Sequence, residues 1–307
     1  MSGPILLAVC YGLLAIFVVA FLIRSVNIAR LPVHLRWELA PVPKEKTRGR
    51  YGGSYLEEYE WWKKPREESH LAELWYMLKE ILFLKALWEH NRRLWWLSYP
   101  FHVGLYLLVV VAGLFVAGSG ASSLGLVGSG WGILRAWLPL LAGVGYVLGG
   151  VGALGLLVSR LADPRLRVVT TPVSLFNLAL LLAVFVTGAW AVTTVNGVVG
   201  HALTFGKALL TGGPLAPMPG VLAAHLGLTL VFLAYLPFSQ MMHFVAKYFT
   251  YHQVRWDDRP LEPGGSMERE VKELLQQTVT WSGPHLGANG KKNWVDIATE
   301  TNPEVPR

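Results

Sequence analysis

Five stretches of this chain carry no Asp, Glu, Lys or Arg over a length that crosses a bilayer as helix. They run from Pro4 to Ile23, Tyr99 to Val116, Pro139 to Ser159, Pro172 to Val195 and Val221 to Ala246. Hydrocarbon about 30 Å thick takes about 20 helical residues, and a helix satisfies every backbone polar group within itself. The chain therefore reads as an all-α integral membrane protein, a bundle of five transmembrane helices. Pro4, Pro139 and Pro172 are expected at helix starts, where a missing N–H costs little. Charged residues make up 15% of the chain, against roughly 25% in soluble domains. Most of them fall in residues 24–98 and 245–307.

The excess of 27 Lys+Arg over 20 Asp+Glu is a topology signal. Basic residues crowd the loop after the first span (Arg24 through Arg93), the connection Arg160–Arg167 and the tail from Lys247. Residues 119–134 have no charge and 196–220 have Lys207 alone. By the positive-inside rule the N-terminus is expected outside and the C-terminus in the cytoplasm. The absence of positive charge before the first span argues against a cleaved leader. Four regions result: 1–24 as the first transmembrane helix, 25–97 as a cytoplasmic loop, 98–247 as a four-helix membrane core, and 248–307 as a cytoplasmic tail for partner docking. Within the loop, residues 71–88 have the pattern of an amphipathic helix lying on the membrane or packed under the bundle. The tail reads as a docking extension with a short amphipathic segment at Met267–Gln277, rather than a domain with its own core. Basic residues form no stripe with stacking aromatics, so no nucleic-acid partner is expected. The single cysteine, Cys10, excludes an iron–sulfur cluster held by this chain's own thiolates.

Of nine histidines, His34, His70, His90, His252 and His285 lie in hydrophilic segments, and His201 in the outer connection before the last span. His102, His225 and His243 fall within the apolar runs, where ionisable residues are costly and functional by default. On a continuous helix, the spacing from His225 to His243 is about five whole turns, or roughly 27 Å along one face. One ring then lies toward each side of the membrane. His102, at the start of an outward-running span, shares the cytoplasmic level with His243. Two imidazoles from different helices suit the axial positions of a b-type haem. A proton relay in a transporter or channel is the alternative, as are interfacial histidines bonded to backbone or headgroups. A scaffold that merely anchors a cytoplasmic enzyme is a third reading.

The motif Leu236-Pro-Phe-Ser-Gln-Met-Met-His243, preceded by His225-Leu-Gly-Leu-Thr-Leu, resembles the last span of the gamma subunit of respiratory nitrate reductase. Phe101-His102-Val-Gly-Leu resembles that family's second span, and Asp163-Pro-Arg-Leu-Arg-Val-Val-Thr-Thr its entry to the fourth. The likeness covers roughly residues 96–255. The loop motifs His34-Leu-Arg-Trp-Glu-Leu, Tyr51-Gly-Gly-Ser-Tyr and Trp61-Trp62 are closer to relatives paired with heterodisulfide-reductase-like iron–sulfur subunits.

The resemblance implies a multi-pass cytochrome b of the cell inner membrane, with haem b held between helices. It would pass electrons between menaquinone, or another quinone, and a cytoplasmic iron–sulfur subunit of the heterodisulfide-reductase or nitrate-reductase-beta kind. His102 and His243 match the ligands of the inner haem, and His225 one ligand of an outer haem. The other outer ligand falls at Ala112, which cannot bind iron. One haem is therefore expected, or two if another residue completes the site. His201 is the nearest outer-side candidate, and without an outer haem His225 would be available to hydrogen-bond a quinone. Arg135 reads either as a quinone-site donor or as an interfacial anchor beside Trp131 and Trp137.

Overall fold

The apolar runs become helices that overrun them at most ends. A computed structural model of the chain describes residues 3–30, 58–60, 63–64, 69–126, 130–251, 263–281 and 287–300. The motifs at His34, Tyr51 and Trp61-Trp62, and the histidines at 252 and 285, lie outside the described residues. Among the described residues, five helices are long and apolar enough to cross a membrane. These are α1 (Gly3–Ala29), α4 (Arg92–Ser123), α5 (Gly130–Ala162), α7 (Pro172–Thr194) and α9, which begins at Gly220. Their outward faces are apolar too: Ile16, Val19, Leu22, Val109, Val151 and Trp190 are all exposed. Side chains this apolar on both faces of a helix need lipid around them. The protein is a multi-pass membrane protein. Among the described residues there is no strand, and one isolated bridge pairs Thr278 with Asn293.

Three sequence expectations change in the structure. Pro139 does not open a helix but sits inside α5, which starts at Gly130, and Pro100 likewise sits inside α4. Membrane helices tolerate proline because neighbouring groups re-satisfy the freed carbonyl. The amphipathic stretch expected as one helix divides into α2 (His70–Phe83) and α3 (Lys85–His90) at Leu84, whose φ is 49°. There the buried Glu80 carboxylate accepts the backbone N–H of Ala86 at 3.0 Å, capping the first turn of α3. The last span is also broken. α9 ends at Tyr235, 3₁₀ turns follow at Leu236–Phe238 and Gln240–Met242, and α10 resumes at His243–Ala246. Pro237 has no N–H to continue the ladder, and Ser239 turns the chain by donating to Leu236 O at 2.8 Å. A 3₁₀ turn advances about 120° per residue. The five-turn phase argument placing His225 and His243 on one stripe therefore fails.

Two short helices complete the span connections. Asp163 caps α6 (Pro164–Arg167), and α8 (Val198–Thr211), framed by Gly197 and Gly212 at φ 69° and 68°, lies in the connection before the last span. The chain divides into two compact parts, residues 1–24 with 74–242, and residues 25–73 with 243–307.

In the first part, α4 and α5 pack backbone against backbone. A Cβ on Gly104 would meet Gly145 O at 2.6 Å, and one on Gly152 would meet Phe101 N at 2.5 Å. Small residues are the usual means of close helix approach where lipid supplies no hydrophobic drive. Phe101, Ala153, Leu181 and Phe185 form the adjoining core across α4, α5 and α7. A second cluster joins Cys10 of α1, Phe205 of α8 and Leu230 of α9, with Tyr11 donating to Leu209 O at 2.7 Å.

In the second part, the tail carries two short helices. A helix at Ser266–Leu275 and a capped helix at Trp294–Thr299 are joined through Val279, which is 2% exposed and donates to Lys292 O. Trp281 and Trp294 meet edge to face at 6.1 Å.

Candidate functional site

The seam between α4 and α5 sets the direction of His102. Phe101 is pinned against Gly152, so the next residue along α4 is held in rotation. The His102 ring is half-buried. Its Nδ1 lies 2.7 Å from the Ser98 carbonyl oxygen one turn back, and 3.3 Å from Ser98 Oγ. A carbonyl can only accept, so Nδ1 carries the hydrogen and Nε2 the lone pair. That is the tautomer a metal-ligating imidazole needs, held by the backbone hydrogen bond that usually accompanies ligation. Phe101 and Tyr106 flank the ring at centroid distances of 5.2 and 6.2 Å. Tyr106 in turn donates to Ile81 O of α2 at 2.8 Å.

His225 of α9 is buried, 6% exposed, and its surroundings are different. Nε2 lies 2.8 Å from the hydroxyl of Tyr146 on α5, and Nδ1 lies 3.2 Å from the hydroxyl of Thr187 on α7. Thr187 Oγ1 also donates to the Ala183 carbonyl at 2.8 Å. The Tyr146 and His225 rings stand edge to face, 5.2 Å apart. Gly188 makes the space: a Cβ there would meet Tyr146 Cζ at 2.5 Å and His225 Cε1 at 2.8 Å.

His243 opens α10 with an exposed side chain, past the end of the membrane-crossing stretch Gly220–Phe238 rather than inside it. The division of the chain places His102 in the first part and His243 in the second. His201 is half-buried on α8, and both hydrogen-bond partners of the His225 ring come from other helices. Arg135 is exposed in the first turns of α5 beside exposed Trp137, and Ala112 is exposed on α4. Among the described residues no cluster of three or more His, Cys, Asp or Glu forms a metal site. A site made of one imidazole per helix escapes that pattern. Sequence reading missed Tyr146, Thr187 and Ser98. For Tyr146 and Thr187 the signal was present, as hydroxyls inside otherwise apolar runs that must each find a partner.

The surroundings of the two membrane histidines differ. His102 spends its Nδ1–H on a backbone carbonyl. His225 has both nitrogens engaged by hydroxyl groups. The fold and these groups define a multi-pass helical membrane protein with imidazoles set inside its bundle. Residues 86–257, more than half of the chain, match the nitrate reductase gamma subunit family, and the chain belongs to it. No curated protein shows significant similarity to the chain.

Proposed function

We propose that the protein is the membrane cytochrome b subunit of a respiratory oxidoreductase of the cell inner membrane. It exchanges electrons between the quinone pool, menaquinone above all, and a cytoplasmic iron–sulfur subunit of the heterodisulfide-reductase-like or nitrate-reductase-beta-like kind. As the family resemblance implies, His102 and His243 would hold its haem b, which supplies one-electron transfer when bound. The observation that carries this reading is the locked tautomer of His102 inside the family-matched segment. The Ser98 carbonyl orients the ring and raises the basicity of Nε2. The glycine seam keeps α4 from rotating, and the apolar bundle excludes water. The loop before α4 and the tail supply the partner's docking surface. The lack of cysteine clusters fits a chain whose next redox centre belongs to another subunit.

The test is a reduced-minus-oxidised spectrum of the purified protein. A b-type spectrum is expected, lost in His102→Ala and in His243→Ala. No b-type spectrum in the wild-type protein would refute the cytochrome reading, and full haem retention in either variant would refute its ligand assignment.

A further inference from the structure

We infer that His225 is not an iron ligand and that the chain carries a single haem. The site of an outer haem is instead occupied by a hydrogen-bond chain made of protein alone. This rests on the cytochrome reading above, and it follows from how the hydrogens can be placed. The Thr187 hydroxyl spends its hydrogen on the Ala183 carbonyl, so its oxygen accepts from His225 Nδ1. With a neutral ring, Nε2 then holds the lone pair, and the Tyr146 hydroxyl donates into it at 2.8 Å. The Val184 carbonyl, 3.2 Å from Thr187 Oγ1, is a further acceptor beside this chain, and with Tyr146 donating no lone pair of the ring is left over. Haem iron binds an imidazole through the same in-plane lone pair, so the Tyr146 oxygen stands in the direction from which iron would approach.

Three helices hold that oxygen in place. Tyr146 is clamped between α5 and the backbone of Gly188 on α7, and His225 closes the gap from α9. Drawing Tyr146 away from Nε2 would strand a phenol inside an apolar bundle. The sequences of α4, α5, α7 and α9 hold two histidines in all, His102 and His225, and His201 lies on α8 outside them. With one haem at His102 there would be no haem-to-haem path between leaflets, and the quinone would exchange electrons at the His102 haem itself.

The experiment is a pyridine haemochrome assay giving haem per polypeptide, on the wild-type protein purified with its partner subunits. One haem per chain is expected of this subunit. Two would overturn the inference, whereas none would overturn the cytochrome reading instead. His225→Gln and Tyr146→Phe should each keep the wild-type haem content and spectrum, in contrast to His102→Ala. Loss of half the haem in a folded His225→Gln would also overturn the inference. A readout independent of haem content is the ¹⁵N spectrum of histidine-labelled protein in lipid. It should show one diamagnetic ring protonated at Nδ1 that is perturbed by Tyr146→Phe, and a paramagnetically shifted His225 would refute the proposal.

Discussion

Gly152→Ala tests whether the α4–α5 seam is as close as described. The added methyl would stand 2.5 Å from Phe101 N and 2.7 Å from Phe101 Cα, against the 3.4 Å at which ordinary contact begins. Both are backbone atoms with no rotamer to yield, so the helices must part by about 0.9 Å. Overpacking of this kind costs about 1–3 kcal/mol. Gly→Ala in a helix interior returns up to about 1 kcal/mol of propensity. The rigidity of the neighbours puts the clash at the upper end, for a net loss of about 2 kcal/mol. Gly113→Ala on α4 is the matched control, since nothing lies within 4 Å of its Cβ position. It should be neutral or stabilising by up to about 1 kcal/mol. The chain carries its own reporter in Cys10, a single thiol that is 3% exposed. Its labelling by a fluorogenic maleimide during a temperature ramp in detergent reports unfolding. Gly152→Ala should label several degrees below wild type, on the scale of 2–4 °C per kcal/mol. Gly113→Ala should not. A Gly152→Ala protein as stable as the Gly113→Ala one would refute the backbone-contact geometry.

Other outcomes follow from the same contacts. Tyr146→Phe leaves His225 Nε2 buried without its donor and should destabilise by about 1–2 kcal/mol. Thr187→Val should cost a similar amount, and the double variant less than their sum, as a double-mutant cycle of thermal unfolding would reveal. Tyr106→Phe breaks the bond to Ile81 O and should speed proteolysis within α2 while costing at most about 1 kcal/mol in the bundle. In the tail, Lys272 hydrogen-bonds Glu268 at 2.8 Å and the Gly264 N–H adds a second bond, so the Glu268 carboxyl is held below its ordinary value. A depressed carboxylate stabilises above the unfolded range and loses that contribution as pH falls through the folded value. The carboxyl carbon resonance of Glu268 should therefore titrate below that of an unpaired glutamate and move upward in Lys272→Met.

The five spans were legible in the sequence because crossing a bilayer is decided locally. About twenty consecutive apolar residues, with their backbone bonds closed inside the helix, have the same transfer energy whatever lies beside them. The importance of His102 and His225 was legible for the same reason, since an imidazole in such a run is costly wherever the bundle places it. Local pattern did not decide how those helices end or what they touch. Pro139 resembled a start signal and is interior, because the Gly130–Leu138 segment extends α5 ahead of it. The run Val221–Ala246 resembled one helix, and Pro237 with the Ser239 turn divided it, removing the phase relation that counting residues had supplied. Ser98 acts on His102 through its backbone carbonyl, an atom every residue possesses and no composition reveals. Tyr146, Thr187 and His225 stand 79 and 38 residues apart in pairs. Their hydrogen bonds depend on the approach of three helices at Gly188 to within ångströms. The sequence alone determined that the chain enters the membrane and that its histidines would be expensive there. Tertiary structure decided what each ring meets, the Ser98 carbonyl at His102 and the Tyr146 and Thr187 hydroxyls at His225, because hydrogen-bond partners are neighbours in space.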